Sequence, residues 1–169
     1  TISTLQDISF QKKKLIDQLH AYANIIAFNS VAGILYDDPE IEENRLKSFA
    51  AVDILHNIHI YKLTAETGEL SFFSSYNRRD VGPHPTQFDE VNDLLEPRFD
   101  GDVIEIAKTV EFEGKKLGYI YIRASMEELG RSRLLQREGR KTEIAEGILA
   151  AIKSGQEMRP EDMPKPDVS

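Results

Sequence analysis

Apolar and polar residues alternate most cleanly from Asp102 to Leu129, in DVIEIAKTVEFEGKKLGYIYIRASMEEL. Ile104, Ile106, Val110 and Phe112 precede Glu113-Gly114. Leu117, Tyr119 and Tyr121 follow on one face, with Ile120 and Ile122 on the other. Period-two alternation of this length predicts a half-buried antiparallel hairpin that turns at Glu113-Gly114. A helix starts directly afterwards, with Ser125 as cap and Glu128 completing a capping box. A hairpin that runs into a helix can pass a disturbance in a sheet to whatever lies beyond it. That points to a sensor rather than an enzyme.

Ser3 to Asp37 reads as one long helix without proline, roughly 50 Å long at 1.5 Å per residue. Leu5, Ile8, Leu15, Leu19, Tyr22, Ile26, Gly33 and Tyr36 follow three-four spacing. Two placements fit this stripe: a coiled-coil-like seam with a second copy, or packing on the chain's own sheet. In the first, Leu15, Leu19, Tyr22, Ile26 and Asn29 form the dimer seam, and Asn29 sets register as a buried Asn does in coiled coils. In the second, Asn29 is a satisfied polar residue within one chain.

Asp38 then serves as N-cap and Pro39 as first residue of a short second helix, with Ile41, Leu46, Phe49 and Val52 as its apolar stripe. LHNIHIYKLT from Leu55 alternates as a strand, turns at Ala65 to Gly68, and returns over Leu70 to Tyr76. Gly82, Pro83 and Pro85 break regular structure, and Gln87 to Leu95 reads as a short helix. Beyond the second hairpin, helix is expected from Ser125 and again from Thr142 to Gly155. Gln156 to Ser169, with three prolines, reads as loop or disorder.

The order is α-α-β-β-α-β-β-α, an α+β domain with an antiparallel sheet flanked by a long N-terminal helix and a C-terminal helix. This is the layout of PAS-like sensor domains. Four stretches carry a more specific likeness: AFNSVAGILYDDPE, LKSFAAV, IHIYKLTAETGELSFF and EFEGKKLGYIYIRASMEELGRSRL. Through them residues 15 to 134 resemble the CHASE-type periplasmic sensor domain of membrane-bound diguanylate cyclases and histidine kinases. The resemblance implies a PAS-like domain over residues 1–134, homodimerisation through the N-terminal helix, and control of a cytoplasmic output domain. It also implies a location on the extracytoplasmic face of a bacterial inner membrane. A membrane span is expected soon after Leu134, where this chain reads LQREGRKTEIAEG, so residues 135–169 lie outside the likeness. The alternative is a soluble PAS-like regulatory or adaptor module acting by protein contact.

Charge narrows the partners. The formal net charge is -8, and the one basic cluster is Lys12-Lys13-Lys14. Phosphate contacts need clustered Lys and Arg, so nucleic acid is not an expected partner. Without cysteine there is no disulfide, thiol nucleophile or Cys-based metal site. No apolar run spans a bilayer, and the chain, beginning at Thr1, reads as a fragment whose membrane contact is made by other segments.

Catalytic signals are missing. His20, His56, His59 and His84 show no metal-ligand spacing, and the acidic pairs Asp37-Asp38 and Glu127-Glu128 sit at helix starts, where they cap. No enzyme activity, cofactor or metal is expected. The better place for a ligand is the polar middle, where Tyr76, Arg78 and Arg79 enter the Pro-Gly loop and Arg98 follows it. Arginine forks bind carboxylates and phosphates, so a small anion between the sheet and residues 77–101 is one expectation. Phe72, Tyr119 and Tyr121 would supply the apolar wall. A periplasmic protein partner is the other, and it needs no pocket.

Overall fold

The computed structural model describes residues 2–126, apart from the side chains of 2–5, together with residues 146, 148 and 149. Helix α1 spans Ile2–Leu35 and α2 spans Pro39–Leu46, followed by a 3-10 helix over Lys47–Ala51. Five strands follow: β1 (Leu55–Leu63), β2 (Leu70–Asn77), β3 (Arg98–Asp100), β4 (Val103–Phe112) and β5 (Lys115–Ser125). All five strands and α1 belong to one compact unit, Thr1–Glu128. The remainder of the helix expected from Ser125, the segment from Thr142, the tail and the boundary at residue 134 lie outside the described residues.

The long helix ends where the sequence permits a sharp stop. Asp37 takes a left-handed conformation (φ 53°). The Asp38 N–H donates to the Gly33 carbonyl at 2.8 Å and the Asp37 N–H to that of Ile34 at 3.2 Å, the paired bonds of a Schellman cap. Asp38 then caps α2 by accepting from the Ile41 N–H. The expected stripe of α2 is rotated, however. Leu46 is buried and Ile41 exposed, while Glu42, a charged residue, is buried. Glu42 fits because Gly33 of α1 leaves room for it, and a Cβ at Gly33 would overlap its carboxylate. Ser30 and Arg45 donate to its two oxygens at 3.3 and 2.8 Å.

The strands form one antiparallel sheet in the order β2-β1-β5-β4-β3. Both expected hairpins are present. Glu113 (φ 51°) and Gly114 (φ 77°) make the tight two-residue turn of the second, a conformation that glycine takes without strain. Register assigns the faces: Ile58 pairs with Ile122, and Ile122 with Ile106. These isoleucines, with Ile60, Ile104 and Ile120, form one buried face, against which α1 packs over β4 and β5. Lys12 of α1 lies over Phe99, which shares that face. The opposite face carries His59, Tyr61, Ala107, Tyr119 and Tyr121, and residues 78–97 lie across it.

Two expectations about that crossing segment are corrected. Gln87 to Leu95 is a run of turns with a 3-10 helix at Asp93–Leu95, not an α-helix. Arg98–Asp100, expected as loop, is a short edge strand paired to Val103–Glu105.

Candidate functional site

Three tyrosines on adjacent strands hold the crossing segment. Tyr61 of β1 accepts a hydrogen bond from the Gln87 N–H at 2.9 Å. Tyr119 of β5 donates to Asn92 Oδ1 at 2.7 Å. Tyr121 of β5 donates to Glu105 Oε2 at 2.5 Å, and Arg98 joins Glu105 Oε1 (3.0 Å) to Glu90 (2.8 Å) in the segment. Between these anchors Val91 and Leu94 are buried against Tyr61, Ala107, Tyr119 and Tyr121. Alternation puts the tyrosines on one face, and the antiparallel register puts Tyr61 opposite Tyr119.

Electrostatics fixes the protonation states. Burial alone would raise the Glu105 pKa, but the Tyr121 hydrogen bond and the Arg98 contact outweigh it, and the carboxyl is held below its usual range. Burial and the neighbouring Glu105 carboxylate push Tyr121 up, so it remains a donor. Hydrogen bonds to Glu90 and Glu105 raise Arg98. His59 sits 2 % exposed with Nδ1 2.7 Å from Tyr61 Oη. Burial, with His84 nearby, lowers it to about 4. Tyr61 Oη accepts from the Gln87 N–H and shares a further hydrogen bond with His59 Nδ1, in which donor and acceptor follow the imidazole tautomer. Burial pushes Tyr61 up to about 12. His84 stacks on Tyr121 with planes 12° apart, and burial lowers it as well.

This arrangement is a clasp. Glu105, the buried carboxylate of the cluster, is bound on both oxygens, so it is not poised as a general base. Among the described residues no group of three or more His, Cys, Asp or Glu could hold a metal. None of the described helices is long and apolar enough to cross a membrane.

The four residues expected to bind an anion are not brought together. Tyr76 pairs with Ile58, on the isoleucine face of the sheet and so away from the clasp. Arg78, just after β2, donates to the Asp53 carbonyl and pairs with Asp80 at 2.7 Å. Arg79 is exposed beside it. Arg98 stands on the opposite edge strand, four strand spacings or roughly 19 Å across the sheet, with two carboxylates already on its guanidinium. Phe72, Tyr119 and Tyr121, expected as the apolar wall, lie on the clasp face. A cavity of about 390 Å³ opens there beside Tyr119, but its charged lining is Glu69 and Asp89, with no arginine.

The residues expected as a dimer seam take different places within the chain. Leu15, Leu19 and Ile26 are buried inside the chain, on the side of α1 that packs on the sheet. Tyr22 packs edge-to-face on Phe49 at 5.8 Å. Asn29 is exposed, and its carbonyl accepts from Arg45 at 2.7 Å. The apolar residues left outside on this half of α1 are Ile25, Phe28, Leu35 and, just past its end, Tyr36. His59, Tyr61 and Glu105 were missed as site residues. Their sequence signal was an alternating strand face filled by His, Tyr and Glu where aliphatics or simple solvent-facing polar residues are usual. No family model, curated protein or solved structure matches the chain.

Proposed function

We propose that the domain is a non-enzymatic sensor module of PAS-like architecture in a bacterial signal-transduction protein. In this reading the state of residues 78–97 is passed through β5 to α1. The observation that carries it is the two-sidedness of β5. Tyr119 grips the crossing segment through Asn92 and Tyr121 through the Glu105–Arg98–Glu90 chain, while Ile120 and Ile122, alternating with them, are buried on the face that packs against α1. A shift of the segment that breaks the Tyr121–Glu105 bond alters both faces of one strand, because a packed sheet and helix rearrange between discrete states. The resemblance to CHASE-type domains supports an extracytoplasmic position and an output such as a diguanylate cyclase or histidine kinase.

The test is a chimera in which this chain replaces the sensor region of a membrane-bound diguanylate cyclase. Cyclic dinucleotide output is measured for wild type and Tyr121→Phe. The reading expects output to change with the substitution at equal protein abundance. Equal output from both, matching a cyclase without a sensor region, contradicts it.

A further inference from the structure

We propose that the free edge of β4, with α1 beside it, is a docking groove for an extended peptide segment of another protein, which joins the sheet as a sixth strand. The proposal goes beyond sensing through residues 78–97 and does not depend on it.

The groove begins where β3 stops. Pro97 has no N–H to continue the ladder beyond Arg98, and the chain leaves the sheet into the 3-10 helix. As a result β3 covers only Val103–Glu105 of β4. Among the described residues, Ile106–Phe112 has no strand neighbour on that side, and no backbone bond from a turn or loop reaches it. Ile106, Ala107 and Val110 are buried and the 3-10 helix packs against β4, so the accessible backbone of this edge, a row of outward N–H and C=O groups, runs from Lys108 to Phe112, roughly 15 Å, with a register shift between Val110 and Glu111. Such a row is complementary to an extended backbone and to no other regular structure.

The walls fit the same occupant. Near Thr109 a cavity of about 380 Å³ lies between His20 and Asn24 of α1 and Leu95. A second, of about 680 Å³, continues past Val31 and Leu35 to Phe112. Both are lined by Lys108 and Thr109, so they lie side by side along the strand edge. The apolar wall is open to solvent: Phe28 is 81 % and Tyr36 84 % exposed. At the far end stand Glu111 and Glu113, neither with an ion-pair partner among the described residues. The occupant is therefore a segment whose alternate side chains are apolar and which carries Lys or Arg opposite these glutamates. A second copy of this edge fits worse, because it repeats both glutamates within a chain of net charge -8.

The experiment pans a phage library of random ten-residue peptides against the full chain. Enriched sequences are then synthesised with and without N-methyl groups at alternate residues. The proposal expects alternating apolar peptides with a basic residue. Binding should weaken on the order of tenfold or more when the outward-bonding N–H groups are methylated, since several ladder bonds are lost. Phe28→Asp, at a site too exposed to disturb folding, should weaken it similarly. Failure to enrich any peptide, or binding indifferent to both changes, overturns the proposal. So does a chain that sediments as a dimer and becomes monomeric with Phe28→Asp, since the occupant is then a second copy.

Discussion

Tyr121 and Glu105 face each other across β5 and β4 with a 2.5 Å hydrogen bond, and Glu105 takes Arg98 on its other oxygen. The pair ties the centre of the sheet to its edge strand and, through Glu90, to the segment that crosses it. Tyr121→Phe leaves a buried carboxylate oxygen without its donor. The expected cost is about 1–3 kcal/mol, read as a lower denaturation midpoint at unchanged slope. A midpoint equal to wild type would mean that water replaces the hydroxyl without loss.

The histidine beside this pair gives the fold a pH dependence. His59 has a folded pKa of about 4 against an ordinary 6.5, so protons bind the unfolded chain more readily. Stability is then full above about pH 6.5 and declines as pH falls toward 4, by up to about 3 kcal/mol. His84, also lowered, adds in the same direction. Glu105 contributes separately: with its pKa depressed, its stabilisation is present above the ordinary carboxylate value and lost as pH falls through the lower folded one. Urea titrations between pH 7 and 4.5 should show a slope that His59→Gln largely flattens. A slope unchanged by that substitution contradicts the assignment of His59 as neutral in the fold.

Gly33 and Glu42 form a second packed pair. Gly33→Ala gains roughly 1 kcal/mol of helix propensity but drives a methyl group into the Glu42 side chain, an overpacking cost of about 1–3 kcal/mol. Net destabilisation is expected. In Glu42→Ala the same glycine substitution becomes neutral or favourable, and a double-mutant cycle by chemical denaturation reads the difference. Additive effects would show that the two helices part without strain.

Ile26 is 2 % exposed and Phe28 is 81 % exposed. Ile26→Asp places an unpaired charge in the core and should unfold the chain or lower its melting temperature steeply, whatever the protein concentration. Phe28→Asp should leave the melting temperature within a degree or two. Scanning calorimetry of both variants checks the pair of outcomes.

Both hairpins, the turn at Glu113-Gly114 and the stop at Asp37-Asp38-Pro39 were legible because their signals are local. Alternation, a glycine and a capping aspartate act within a few residues. The direction of the α1 stripe was not legible. Leu15, Leu19 and Ile26 need an apolar neighbour, and three-four spacing fits the chain's own sheet as well as a second helix. Gln87 to Leu95 misled for a related reason. Val91 and Leu94 are spaced for a helix, but tertiary partners hold the segment in turns, with the Gln87 N–H going to Tyr61. The clasp was hidden because Glu105 sits where alternation predicts a solvent-facing residue. Only the pairing of β4 with β5 gives it Tyr121. Arg78 and Arg98 looked like neighbours across a loop and proved to belong to opposite sheet edges, an outcome that strand order alone decides.

The coupling of residues 78–97 to α1 through β5 is tested most directly by hydrogen exchange of the full chain, wild type against Tyr121→Phe, followed by peptide mass spectrometry. Coupling predicts faster exchange in two places at once: the crossing segment, residues 78–97, and the sheet-facing stretch of α1, residues 15–34. Faster exchange confined to residues 78–97, with α1 protected as in wild type, would contradict it.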